Sequence, residues 1–198
     1  KIRLNLMEKL TGLRKIKTAV FISGSGSNLK NLIIFSKIKK SPISISLIVS
    51  NTYKAKGLKY ANQYKIKKKL FNFNNIENSE KKILSLLKRE KINFICLAGF
   101  MKILSKNFIK KFDGNIINIH PSLLPKYRGL NTHQRAISNK ESFAGCTVHC
   151  VTEKLDSGNI IMQKKIKITS KDNLTSLAKK VLKEEHRLYP AAIIKFLS

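Results

Sequence analysis

Apolar residues fall along this chain in short runs broken by glycine, asparagine or proline, and the spacing inside each run indicates which element it forms. Thr18–Ser23 (TAVFIS), Ile43–Val49, Phe94–Ala98 (FICLA) and Ile116–His120 are near-continuous and rich in β-branched or aromatic residues, as buried strands are. Between them the spacing turns helical, with Leu29, Leu32 and Ile33, then a stretch around Ala55–Tyr64, then Ser79–Glu90 with Ile83, Leu84 and Leu87 facing inward. A weaker short strand is predicted near Leu70–Phe73. Strands alternating with helices imply a parallel sheet with helices on both faces. After His120 the pattern changes. A loop, Pro121–Leu130, leads to a helix near Thr132–Asn139 and to two strands, Thr147–Val151 and Ile160–Ile168, flanking the turn Glu153–Gly158. An amphipathic helix follows over Leu174–Tyr189, which Pro190 is expected to interrupt. The prediction is a single α/β domain over residues 18–198, a parallel sheet in its first half and an antiparallel extension in its second, preceded by a basic extension, residues 1–17.

The length of 198 residues suits one domain with a full core. No window approaches the roughly 18 uninterrupted apolar residues of a membrane span, so no membrane partner is expected. Residues 1–17 have neither the apolar core nor the small-residue cleavage pattern of a secretory signal; a short presequence, an upstream start and a helical extension all remain open. Cys96, Cys146 and Cys150 sit in or beside apolar runs without a second metal-spaced pair, which favours buried free thiols, a reducing cytoplasmic setting and no metal. The balance of 40 basic against 11 acidic residues, net +29, invites a nucleic-acid reading. The excess, however, is nearly all lysine spread from end to end, and no RNA-binding or zinc-finger signature accompanies it, so nucleic acid is not expected as a partner. A positive field still attracts small anions.

Two places carry candidate chemistry. At Gly24-Ser25-Gly26-Ser27-Asn28 a strand turns into a helix through glycines, a geometry in which free N–H groups and the helix dipole favour a phosphate. Ser27 and Asn28 are equally ordinary N-cap residues, so a capped helix without ligand stays open. The turn lacks the Gly-Lys-Ser/Thr ending of a nucleoside-triphosphate loop, and the next strand ends in Ser50-Asn51 where a dinucleotide site wants an acid, leaving a monophosphate as the better fit. In Ile116-Ile117-Asn118-Ile119-His120-Pro121, the two-residue period puts Asn118 and His120 on one face where the chain leaves the sheet. They are either a polar pair for a ligand or a strand end satisfied by its own loop.

FISGSGSNL, LAGFMKILS, NIINIHPSLLPKYRGLNTHQRAI, AGCTVHCVTEKLDSG and EEHRLYP together resemble the phosphoribosylglycinamide formyltransferase family of folate-dependent enzymes, in order over residues 18 to 194. The resemblance implies a Rossmann-like first half with an antiparallel extension, and transfer of formyl from 10-formyltetrahydrofolate, as co-substrate, to the amine of 5'-phosphoribosylglycinamide. It implies Asn118, His120 and Asp156 as catalytic set, Gly26, Ser27 and Asn28 at the phosphate, and Glu185 at the glycinamide end. Met101, Lys102, Ile103, Leu104, Thr152, Glu153, Lys154 and Leu155, with Asn118, are implied at the folate. An oxyanion forming at the formyl oxygen suits an Asn118 amide donor, and His120 suits the acid, its pKa expected to be raised by Asp156. His133 and His149 are read as structural, with His149 facing solvent or a neighbour across the sheet, and His186 is left unassigned. The segment FNFNNIENSEKKILS lacks the arginine that members often carry as a folate contact. Lys81 or Lys82 would hold a carboxylate less rigidly, and that contact is left unassigned.

Two other folate formyl-group enzymes share the motif residues. A methionyl-tRNA formyltransferase carries a further carboxy-terminal domain, and a formyltetrahydrofolate hydrolase an amino-terminal regulatory one, and neither is expected here. A basic nucleic-acid-binding module would leave Asn118, His120 and Asp156 unexplained. Monomer and homodimer are both left open.

Overall fold

The computed structural model describes residues 15–198, so all but three residues of the basic extension lie outside the described residues. The chain gathers into two compact units, one reaching to Ile116 and including Leu197 and Ser198, the other spanning Ile117–Phe196.

The first unit contains β1 (Ile16–Ile22), α1 (Ser27–Lys37), β2 (Ile43–Ser50), α2 (Leu58–Gln63), β3 (Lys67–Leu70), α3 (Ile76–Arg89), β4 (Phe94–Leu97) and α4 (Lys106–Lys111). Its strands are parallel in the order β3-β2-β1-β4. Every residue from Thr18 to Ile22 is buried, so β1 is covered on both faces, which explains its unbroken apolar run. β1 begins at Ile16, two residues inside the expected extension. The weak strand lies at Lys67–Leu70, upstream of its expected place. It is an exposed edge strand of three lysines and a leucine with no inward face to leave an apolar signature, and lysine on an edge discourages pairing with other chains. On α3 the buried apolar set is Ile83, Leu86 and Leu87, while Leu84 is only half-buried. The helix starts earlier than expected because Asn75 caps it, accepting the Asn78 N–H at 2.9 Å.

β5 (Asn115–His120) leads into the second unit, which holds α5 (Thr132–Ser138), β6 (Phe143–Cys150), β7 (Ile160–Lys167) and all but the last residue of α6 (Leu174–Leu197). β6 pairs antiparallel with both β5 and β7, as the extension predicted. α6 is not interrupted at Pro190 but runs through it. Proline removes one backbone hydrogen bond and crowds the preceding turn. The helix persists because Leu188, Tyr189, Ala192 and Ile193 on either side of it are buried, and the Tyr189 hydroxyl donates to the Ile117 carbonyl at 3.3 Å.

Candidate active site

β5 and β6 together place Asn118, His120 and His149. Their register sets Asn118 opposite His149 and His120 opposite Thr147, and directly opposed residues of an antiparallel pair share a face. Asp156 comes from the turn joining β6 to β7. It takes a left-handed backbone, φ 45°, which aspartate tolerates better than most residues. The turn is held by the Thr152 and Ser157 hydroxyls, both donating to the Lys154 carbonyl, and by Gly158, where a Cβ would fall 1.9 Å from the Cys150 carbonyl oxygen.

These elements converge. Asp156 Oδ2 lies 3.4 Å from His120 Nδ1 and accepts the Gly129 N–H at 2.8 Å, while its Oδ1 lies 3.5 Å from His149 Nε2. The side chains of His120, His149 and Asp156 are 7%, 3% and 8% exposed, so these contacts act largely away from water. Of the two orientations expected for His149, solvent or a neighbour across the sheet, it takes the second, facing Asn118. Its Nδ1 meets the Cys150 carbonyl at 2.9 Å and must donate there, which leaves Nε2 of the neutral ring as an acceptor for the Asn118 amide at 3.2 Å. That tautomer fixes which way the Asn118 amide points and leaves its second N–H available. The sequence signal for His149 was the His-Cys-Val-Thr end of a strand. Which residue it opposes follows only from the strand register.

His120 Nε2 donates to the Tyr127 carbonyl at 2.8 Å, so both ring nitrogens face acceptors. Its pKa is nonetheless lowered, not raised as expected: burial disfavours the charged ring by more than the Tyr127 carbonyl and the Asp156 charge restore. For Asp156 burial acts upward, but the Gly129 N–H and the two histidines, when protonated and with His149 then donating from Nε2, outweigh it and hold the carboxyl below its ordinary value. His133 is partly buried and feels the charge of His120, and burial lowers its pKa and that of His186. Glu185 is buried on α6, where its charge adds to the burial that pushes the Cys146 thiol up to about 12. A cavity of about 350 Å³ in this unit is lined by Tyr127, His133, Glu141 and Lys165 among others, but not by Asn118, His120 or Asp156. Thr152, Glu153, Lys154 and Leu155 are exposed on the turn that carries Asp156.

In the first unit, Gly26 rather than Ser27 or Asn28 occupies the N-cap of α1, at φ 74° and without a side-chain cap. The turn lies so close to the start of α2 that a Cβ on Gly26 would fall 2.5 Å from the Gly57 Cα, so the position requires glycine twice over. Between β4 and α4, Met101, Lys102 and Ile103 are exposed and Leu104 is buried. Lys81 and Lys82 are exposed on α3.

The formyl transferase family profile matches residues 16–193. The chain is 41% identical over 180 residues to the phosphoribosylglycinamide formyltransferase of Haemophilus influenzae, covering 89% of this chain and 85% of that one. It is 38% identical over 183 residues to the human trifunctional purine biosynthetic protein adenosine-3, covering 91% of this chain but only 18% of the human protein's length. The crystal structure of phosphoribosylglycinamide formyltransferase from Brucella melitensis superposes with a TM-score of 0.88 at 42% identity, over 93% of this chain and 97% of that one.

Proposed function

The chain belongs to the formyl transferase family, among its phosphoribosylglycinamide formyltransferases, and on that premise we propose that it transfers formyl from 10-formyltetrahydrofolate to the amine of 5'-phosphoribosylglycinamide. The observation that carries this reading is the meeting of Asn118, His120 and Asp156 in one nearly dry network, with His149 fixing the amide. The amine nitrogen attacks the formyl carbon, forming the new C–N bond and a tetrahedral oxyanion. The free N–H of Asn118 donates to that oxygen. The proton lost by the attacking nitrogen passes to the departing folate nitrogen as the old C–N bond breaks, with His120 accepting and returning it at Nδ1. Asp156 stabilises the ring while it is charged. A ring that is neutral at rest suits this role, because it begins as a base.

The same reading assigns Gly26, Ser27 and Asn28 to the phosphate and Glu185 to the glycinamide end. It assigns Met101–Leu104 and Thr152–Leu155 to the folate, and residues 18–198 to one formyltransferase domain. The enzyme works in purine biosynthesis in the cytoplasm, where free thiols such as Cys96, Cys146 and Cys150 stay reduced. A spectrophotometric assay of folate release with and without the ribonucleotide tests it. Turnover that depends on the acceptor is expected, whereas equal turnover without it would indicate the hydrolase.

A further inference from the structure

Where β4 ends, its backbone ladder to β1 runs on for two more bonds: Ala98 N–H donates to the Phe21 carbonyl at 2.9 Å, and Ser23 N–H to the Gly99 carbonyl at 3.0 Å. Gly99 then turns the chain at φ 70°. The next contact is made by a side chain. Met101 N–H donates to Ser23 Oγ at 2.8 Å, and the Ser23 hydroxyl, its one proton so directed, donates to Asn51 Oδ1 at 2.5 Å. Asn51 follows β2, the neighbour of β1 on the other side, so three strand ends are joined through one hydroxyl.

Phe100, between the two bonded residues, is anchored edge-on against Phe21 and Phe73, with ring centroids 5.4 and 5.6 Å away. The other end of the segment is fixed as well. Ser105 donates its N–H to the buried Glu80 carboxylate at 2.7 Å and its hydroxyl to the same group. Between these anchors Met101 and Ile103 are 64% and 67% exposed. Apolar side chains held out in water by a backbone tied at both ends form a prepared surface rather than a slack loop.

We propose that Ser23 and Asn51 are positioning residues that hold Met101–Leu104 in the shape that receives the folate co-substrate. This rests on the functional reading above and adds to it two side chains that take no part in the chemistry. Ser23→Ala removes both the acceptor of the Met101 amide and the donor to Asn51, and Asn51→Leu removes only the second, leaving the hydroxyl free to rotate. Both variants are expected to raise KM for 10-formyltetrahydrofolate about tenfold, with less than about a threefold change in kcat and less than about a twofold change in KM for the ribonucleotide. Ser23→Thr keeps the hydroxyl and is expected to stay near the unsubstituted protein. Calorimetric titration with the formyl donor, and amide hydrogen exchange at Met101, read the same relay without turnover. Donor affinity should fall and Met101 exchange should quicken in Ser23→Ala. Unchanged donor affinity, unchanged Met101 exchange, or a parallel rise in both KM values would overturn the proposal, the last by assigning Ser23 to the phosphate turn instead. Unsubstituted protein that binds the donor but transfers no formyl would refute the proposed function, while the binding and exchange measurements would still decide the relay.

Discussion

Asn118 has two amide hydrogens, and His149 takes one of them at 3.2 Å, so the other can be presented to a reacting oxygen without the amide turning. Asn118→Ala should therefore lower kcat about 10²–10³-fold, some 2.7–4 kcal/mol of transition-state stabilisation, with a much smaller change in KM in steady-state assays. Asp156→Asn keeps the shape of the turn but removes the charge beside His120 and His149. Its kcat should fall strongly while its thermal midpoint stays within a few degrees, and near-normal turnover would end its assigned role. The histidines also set a pH dependence of stability. His120, His133 and His186 are all shifted down by burial, so the folded protein binds fewer protons than the unfolded chain as the pH falls from about 6.5 toward their folded values. Stability to urea should accordingly decline from pH 7.5 to 5.5, and His133→Gln should shallow that decline. Asp156 acts in a lower window: its depressed value gives stability that is present above the ordinary carboxyl range and lost only as the pH falls through that value.

At the scale of elements, α6 shows how burial overrides a local rule. A proline in a helix interior costs about 3 kcal/mol or more in lost hydrogen bonding and crowding, yet Tyr189, Ala192 and Ile193 are fully buried around Pro190 and the helix continues. Pro190→Ala should restore the missing N–H and raise the unfolding free energy by about 1–2 kcal/mol in urea titrations, part of the gain being offset by the freer unfolded chain. The elements that sequence pattern identified well, β1, β2, α1 and β4, are those with one clearly apolar face or two. β7 has no buried residue, β6 begins at Phe143, four residues before its expected start, and two short elements are offset as well. β3 is an exposed lysine strand whose position is fixed by pairing with β2, and α2 is six residues long, with the buried Ala55 lying before it.

For the whole molecule, the net charge of +29 is the property that acts beyond contact distance. The proposed substrates carry phosphate and carboxylate groups, so raising salt from about 50 to 500 mM should lower kcat/KM several-fold while kcat changes little, as screening removes long-range attraction but not bound-state contacts. Among the described residues no helix is long and apolar enough to cross a membrane. The amino-acid order alone settled the alternation of strand and helix, the glycine turn after β1, the pairing of Asn118 with His120 on one face and the candidacy of Asp156, because each depends on local period or on a contiguous motif. Tertiary structure decided the rest. Opposition of His149 to Asn118 follows from strand register, the downward shift of His120 from burial that no neighbour in sequence reveals, and the tie from Ser23 to Asn51 and Met101 from three strand ends brought together by the sheet.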